Sequence, residues 1–247
     1  IKVAQLSGYV SEVSCYLHGE MSLNGAIVGM AQTYIGSNNI NLLEPKGQFG
    51  TRLQGGQDSA SPRYIFTNLN PLTRYIYNEA DDAVLKYLDD DGTMVEPIYY
   101  APIIPMILVN GSKGIGTGFS TDIMCYDPVN IIDYVTGLVQ EKQQSELPSI
   151  NPYYEGFKGT ITKLSDSKYL VKGCYDIISA KQVRITELPV GTWTDNYKQE
   201  LENMIDKQNN KTDKKGKQTK SLQLRVRTRY YQKKISLHTL MLQMNKV

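Results

Sequence analysis

The sequence of 247 residues contains few of the residues on which metal centres and disulfide frameworks depend. It has two histidines, His18 and His238, which excludes a histidine-rich metal centre. Its three cysteines, Cys15, Cys125 and Cys174, are odd in number and widely spaced, which argues against disulfides or a zinc site and fits a reducing compartment. No apolar run approaches the roughly 18 residues of a membrane-spanning helix, so we expect no membrane partner and no signal peptide.

Net charge is also small, at +2, but it hides a strong asymmetry. Residues 207–234 contain eleven Lys or Arg and one acid, Asp213, which leaves 16 basic and 24 acidic residues elsewhere. We expect 207–234 to be flexible, either as a solvated loop or as a contact with a nucleic-acid backbone. Because the remainder is mildly acidic, any other polyanion contact must come from local clusters of charge.

Apolar periodicity predicts a helix over residues 20–35 and another over 128–141. The inward face predicted for the second helix consists of Val129, Ile132, Val135, Leu138 and Val139. Alternation of apolar and polar residues over 157–188 predicts antiparallel strands. Together these patterns indicate a mixed α/β (α+β) fold.

The intervening stretch gives weaker patterns. Residues 63–69 suit a short strand, and 71–90 suit a helix that ends in an acidic turn at Asp89–Gly92. The apolar run Tyr99–Asn110 contains two prolines and cannot form one long helix. The acidic runs at 81–82 and 89–91 are interpreted as solvated turns rather than as a metal site.

The pair Arg63-Tyr64 is the strongest candidate for chemistry. A phenol is protonated at neutral pH, so a tyrosine nucleophile needs help to attack phosphorus. An adjacent guanidinium can hold the phosphate oxygens as charge develops. Pro62 stiffens the approach to the pair. The alternative is a surface arginine followed by a half-buried strand tyrosine.

The neighbourhood favours the chemical interpretation. Gly50, Gly55 and Gly56 let the backbone turn tightly and approach a large ligand. Arg52 and Arg63 bracket this loop with positive charge, as a polyanion site requires.

The whole stretch Gly47-Gln-Phe-Gly-Thr-Arg-Leu-Gln-Gly-Gly-Gln-Asp-Ser-Ala-Ser-Pro-Arg-Tyr64 resembles the active-site segment of eukaryotic-type (type IIA) DNA topoisomerase II. The resemblance extends from residue 1 to about 205, and the segment after Ile205 departs from it. Further matching motifs are Lys2-Val-Ala-Gln-Leu6, Tyr16-Leu-His-Gly-Glu-Met-Ser-Leu23, Gly36-Ser-Asn-Asn39, Pro105-Met-Ile-Leu-Val-Asn-Gly111, Gly114-Ile-Gly-Thr-Gly118 and Glu187-Leu-Pro-Val-Gly-Thr-Trp193.

The resemblance implies a winged-helix domain over residues 1–104 and a tower domain over 105–247. It implies that Tyr64 forms a 5′-phosphotyrosyl link, that Arg63 stabilises the transition state and that His18 supports cleavage. The alternative for His18 is a core histidine bonded to a backbone carbonyl. Leu17 stands where the family usually has a second histidine.

Several residues are expected to contact DNA. Ile115 matches a family isoleucine that wedges between base pairs, and the alternative is a hairpin with Ile115 in its core. Trp193 matches an arm motif, and a buried tryptophan is the alternative. The other expected contacts are Lys46, Arg52, Lys113 and Tyr16.

The resemblance also implies an ATP-hydrolysing homodimer that cuts both strands of one duplex and passes another through. Mg²⁺ and ATP are expected on TOPRIM and ATPase domains of a longer protein, since no motif for either appears here. Nuclear localisation is expected, or a viral or cytoplasmic replication site. Two alternatives remain, a non-catalytic DNA-bending module from a degenerate homologue and a gyrase-like supercoiling enzyme.

Overall fold

Contacts divide the chain into two units in the computed structural model, which describes residues 1–166, 168–180, 182–209, 222–229 and 239–246. Unit 1 contains Ile1–Gly50 and Asp58–Glu155, and unit 2 contains Thr51–Gln57 and Gly156–Val247. A short stretch of the N-terminal half therefore belongs to the C-terminal unit. The boundary predicted after residue 104 lies inside unit 1, and the winged-helix and tower assignments stay predictions.

Helices supply the larger part of the core of unit 1. They are α1 (Val3–Val13), α2 (Glu20–Ala31), α3 (Thr73–Ile76), α4 (Met106–Val109) and α5 (Pro128–Val139). Two 3₁₀ turns lie at Glu79–Ala83 and Gln144–Glu146. Helices α1 and α2 pack together around a first cluster of buried residues, which comprises Val3, Ile27, Val28, Ala31, Leu43, Phe49 and Ile65. A second cluster comprises Ile104, Val109 and Ile131.

Two antiparallel hairpins complete unit 1. The first pairs β1 (Tyr87–Asp90) with β2 (Thr93–Pro97), and the second pairs β3 (Ser112–Gly116) with β4 (Phe119–Ile123). The acidic turn predicted at Asp89–Gly92 closes the first hairpin, where the backbone N–H of Gly92 donates to Asp89 Oδ1 at 2.7 Å.

Several local predictions are wrong in detail. The helix predicted over 20–35 ends at Ala31, and the strand predicted over 63–69 is reduced to isolated bridges. The segment 71–90 contains the single turn of α3, a 3₁₀ turn and then strand β1, because Asn78 caps a new turn by accepting from Ala80 N. The run Tyr99–Asn110 contains only the short helix α4, which confirms that it is not one long helix.

The inward face predicted for α5 is also wrong. Val129, Ile132, Leu138 and Val139 are all at least 47% exposed, whereas Ile131 is 1% exposed. Since residues four apart share one face of a helix, Ile131 brings Val135 with it to the second cluster. The apolar residues of α5 surround the helix, so periodicity alone did not select the buried face.

Unit 2 is built mainly from antiparallel strands, which confirms the pattern predicted over 157–188. Its elements are β5 (Thr160–Ser165), β6 (Lys168–Lys172), β7 (Cys174–Ser179), β8 (Gln182–Glu187), α6 (Thr194–Asn209), β9 (Leu222–Arg229) and β10 (Thr239–Lys246). Strands β5 and β6 form a hairpin, and the other four form a sheet in the order β7-β8-β10-β9. The mixed α/β fold class is therefore confirmed.

The basic segment 207–234 is only partly described. Its residues 222–229 are strand β9, which pairs antiparallel with β10 and differs from the flexible segment that we predicted. Residues 210–221 and 230–238 lie outside the described residues. Among the residues that are described, no helix combines the length and the apolar character needed to cross a bilayer.

Candidate active site

The loop that carries the Arg63-Tyr64 pair is held by the first turn of α1. The backbone N–H of Val3 donates to Ile65 O at 3.0 Å, and that of Ala4 donates to Pro62 O at 3.1 Å. The first amides of a helix have no partner inside the helix, so these two carbonyls satisfy them. The chain is thus fixed on both sides of the pair by main-chain hydrogen bonds.

The two side chains of the pair project into solvent. Tyr64 is 77% exposed and Arg63 is exposed, while the next residue, Ile65, is 1% exposed in the first cluster. Tyr64 N donates to Ser61 O at 2.9 Å, which closes a turn before the pair. The alternative of a half-buried strand tyrosine is therefore wrong, and the phenol is accessible to a large ligand.

Lys46 lies beside this loop. It exchanges two backbone hydrogen bonds with Phe66, at 3.0 and 2.9 Å, and its side chain is 58% exposed. Its ammonium group is 3.6 Å from the carboxylate of Glu44, and both groups reach solvent. Because exposed ion pairs are weak, this cation remains available to a polyanion.

His18 and Tyr16 form a second group in the linker between α1 and α2. Their rings meet edge to face, with centroids 5.3 Å apart. His18 is exposed, so the alternative of a core histidine is wrong. This linker follows the C-terminal end of α1, whereas the N-terminal end holds the Arg63-Tyr64 pair. The intervening helix of 11 residues is about 16 Å long.

Ile115 lies at the tip of the β3–β4 hairpin and is 93% exposed. It pairs with Ser120, one step from the closing pair of Gly116 and Phe119. Gly118 adopts a φ of +80°, which the two-residue turn requires and which few residues other than glycine tolerate. The alternative with Ile115 in a core is wrong, and the tip has no strand-to-helix geometry of a nucleotide-binding loop.

Lys113 is exposed on β3, two residues before Ile115. Residues two apart in a strand point to the same face, so this cation lies on the same face of the hairpin as the exposed isoleucine. The pairing suits an apolar group that enters a groove while a nearby charge meets its phosphate edge.

Arg52 is the one predicted DNA contact that the structure contradicts. Its side chain is 7% exposed, and its guanidinium forms an ion pair with Glu187, which is 3% exposed. Arg52 Nη2 also donates to Leu188 O at 2.5 Å. A guanidinium that is buried and engaged in this way is not available to a phosphate, so its predicted role is wrong.

Trp193 is partly buried against the loop that contains Gly55. A Cβ added at Gly55, where φ is +62°, would overlap the indole ring. This close approach favours the packing interpretation of Trp193 over the predicted contact with DNA.

The described residues offer no fit for the implied metal. No group of three or more His, Cys, Asp or Glu side chains in this part of the chain could hold an ion. Asp82 pairs with Arg74 at 2.7 Å, and Asp89 accepts from Gly92, so these acids serve local structure.

Comparison with known proteins places this geometry in a family. A family model that describes the A-type chain of DNA gyrase/topoisomerase IV matches residues 1–246. The chain is 53% identical over 207 residues to the mitochondrial DNA topoisomerase 2 of Dictyostelium discoideum, covering 84% of the chain and 16% of that protein. It is 51% identical over 214 residues to DNA topoisomerase 2 of Drosophila melanogaster, covering 87% of the chain and 14% of the relative.

A solved structure agrees with these relatives. The crystal structure of the Plasmodium falciparum topoisomerase II DNA-binding, cleavage and re-ligation domain matches with a TM-score of 0.87 and 43% identity, over 99% of this chain and 31% of that one. Both this match and the family model extend beyond Ile205, so the departure predicted there does not interrupt the shared fold. The chain therefore belongs to the type II DNA topoisomerase family and is similar to part of the breakage-reunion core of the eukaryotic-type enzyme.

Proposed function

We propose that this chain carries out the breakage and reunion of double-stranded DNA in an ATP-dependent type II topoisomerase. The observation that carries the proposal is the presentation of Tyr64, which is 77% exposed on a loop held by α1 and lies next to an exposed Arg63. The spans shared with the two relatives cover 16% and 14% of their lengths, so the activity of the whole protein is part of the proposal.

The phenolic oxygen of Tyr64 attacks the scissile phosphorus and loses its proton. The bond from phosphorus to the 3′ oxygen breaks, the 3′ hydroxyl leaves with a proton, and a 5′-phosphotyrosyl link remains. Because one phosphodiester replaces another, the 3′ hydroxyl can reverse the step without an external energy source. Covalent catalysis of this kind divides one difficult hydrolysis into two reversible transfers.

Arg63 holds the phosphate oxygens while negative charge accumulates on them. Lys46 adds positive charge on the neighbouring segment, and His18 meets the DNA at the other end of α1. Ile115 inserts between base pairs and bends the duplex, which brings more backbone to the protein. Lys113 and Tyr16 make further contacts in unit 1, and Trp193 reaches flanking DNA with its exposed edge.

The full enzyme is a homodimer, because two strands must be cut and a two-fold axis supplies one Tyr64 to each. Mg²⁺ and ATP bind to TOPRIM and ATPase domains of the longer protein, as the resemblance to the family implies. We place the enzyme in the nucleus, by analogy with eukaryotic relatives. Residues 1–104 serve as the winged-helix domain, and 105–247 as the tower.

The experiment that tests this function uses the full-length protein and supercoiled plasmid. The wild-type protein is expected to yield a covalent DNA adduct that resists detergent, and Tyr64→Phe is expected to yield none. Exposed Tyr75, which is 74% exposed in the same unit, provides the matched control Tyr75→Phe. An adduct that persists in Tyr64→Phe would contradict the assignment. A wild-type protein that bends DNA but forms no adduct would instead support the non-catalytic module.

A further inference from the structure

The seven residues Thr51–Gln57 belong to unit 2, although the chain on both sides of them belongs to unit 1. The chain re-enters unit 1 at Asp58, only a few residues before Tyr64. Whatever holds this segment therefore fixes one end of the loop that presents the nucleophile. We call Thr51–Gln57 the upstream segment.

A buried ion pair holds the upstream segment within unit 2. Arg52 Nη1 donates to Glu187 Oε1, and Arg52 Nη2 donates to Leu188 O. The second oxygen of Glu187 accepts from the backbone N–H of Lys158 at 3.3 Å, so both carboxylate oxygens are engaged. The side chains of the pair are 7% and 3% exposed, and few solvent molecules can relax their geometry.

Uncharged contacts extend the same attachment. The backbone N–H of Asp195 donates to Leu53 O at 3.1 Å, and Gln54 Nε2 donates to Asp195 Oδ2 at 3.1 Å. Gly55 lies directly against the indole of Trp193. Consecutive residues of the upstream segment thus contact the start of α6 and the loop before it.

The burial of two charges is a costly way to attach a loop. A well-packed apolar pair of similar volume would serve stability as well or better, whereas a hydrogen-bonded pair fixes direction as well as distance. A nucleophile needs a fixed approach to its target, since small displacements of the reacting atoms reduce rates strongly. Directional attachment of the upstream segment therefore matters more to the reaction than to the fold.

We propose that Arg52 and Glu187 are positioning residues for DNA cleavage, which hold the upstream segment so that the loop carrying Tyr64 starts from a fixed point. The proposal rests on the function assigned to Tyr64 above. It makes Arg52 a residue of the reaction that never touches DNA.

The test compares covalent adduct formation with non-covalent DNA affinity in the full-length protein. Glu187→Gln preserves the side-chain volume but leaves the Arg52 charge buried and unpaired. The rate of adduct formation is expected to fall at least about tenfold, because the nucleophile is displaced. DNA affinity is expected to stay within about twofold, because the interaction lost acts on the transition state and not on binding. The double variant Arg52→Met, Glu187→Met leaves no unpaired charge and is expected to recover most of the rate.

Asp176→Asn is the matched control. It removes an ion pair of the same sheet, between Asp176 and Arg184 at 2.8 Å, whose side chains are 49% and 44% exposed. Adduct formation is expected to be unchanged in this variant. The proposal is overturned if Glu187→Gln, shown to be folded by its melting temperature, forms adduct at the wild-type rate. It is equally overturned if adduct and affinity fall in proportion.

A second variant covers the case in which Glu187→Gln does not fold. Gly55→Ala leaves every charge in place but sets a Cβ against the indole at a residue whose φ is +62°, and it should lower the adduct rate in the same way. An unchanged rate in this variant contradicts the positioning role. Failure of the proposed function looks different, because then the wild type forms no adduct or Tyr64→Phe retains it.

Discussion

Replacement of Ile115 by alanine should uncouple DNA bending from DNA binding. Ile115 is 93% exposed at the hairpin tip, so the substitution removes three carbon atoms from solvent and not from a core. Surface changes of this kind usually alter stability by no more than about 0.5 kcal/mol. Any effect on DNA is therefore an effect on the contact itself.

The size of the effect follows from the atoms lost. Each buried CH₂ contributes about 0.8 kcal/mol, so full insertion of the side chain is worth about 2.4 kcal/mol more for isoleucine than for alanine. That difference shifts the ratio of bent to straight bound DNA by about 50-fold. The unstacking cost of a few kcal/mol is no longer incurred in a straight complex, so the loss of affinity should be smaller than the loss of bending.

The assay is energy transfer between dyes at the two ends of a short duplex, measured at saturating full-length protein. Wild-type protein should raise the transfer efficiency, and Ile115→Ala should return it most of the way to the value of free DNA. Val84→Ala is the control, since Val84 is 80% exposed in the same unit but lies outside the hairpin. Equal transfer efficiencies for wild type and Ile115→Ala, with both saturated, would refute the wedge.

Two further predictions concern unit 1. Ile65→Ala should destabilise it by about 2–5 kcal/mol, as for other large-to-small core changes, because Ile65 is 1% exposed in the first cluster; denaturant unfolding with Phe66→Ala as an exposed control measures this, and a loss below about 1 kcal/mol would argue against the packing. Burial raises the pKa of Cys125 from 9.0 to about 11, so the folded state holds this proton more tightly than the unfolded state. Stability should therefore fall as pH rises from about 9 to about 11, by up to about 1.4 kcal/mol per unit from this group, and Cys125→Ala should remove that part of the pH dependence.

Residue type and order predicted the chemistry of the site better than its supports. The Arg63-Tyr64 pair, Ile115 and His18 were all expected to act on a ligand, and all are exposed. Their recognition depended on local motifs, which a sequence displays directly. An arginine in a glycine-rich loop gives the same local signal whether it meets a phosphate or a carboxylate.

Arg52 was misassigned for this reason, since its partner Glu187 lies 135 positions away. Two other errors have related causes. The strand predicted over 63–69 depends on neighbours that offer only isolated bridges at Phe66 and Leu69. The buried face of α5 depends on which side meets the second cluster, and a helix that is apolar on most sides does not encode that choice.

The hydrogen bonds from α1 to the loop of the pair have a consequence for how the site can change during evolution. Both donors are main-chain amides, at Val3 and Ala4, so no ordinary side-chain replacement at these positions removes them. Proline is the exception, because it lacks the amide hydrogen yet is well accepted in the first turn of a helix. Genetic drift can therefore alter most side chains around the nucleophile, while a proline that the helix itself would accept detaches the loop.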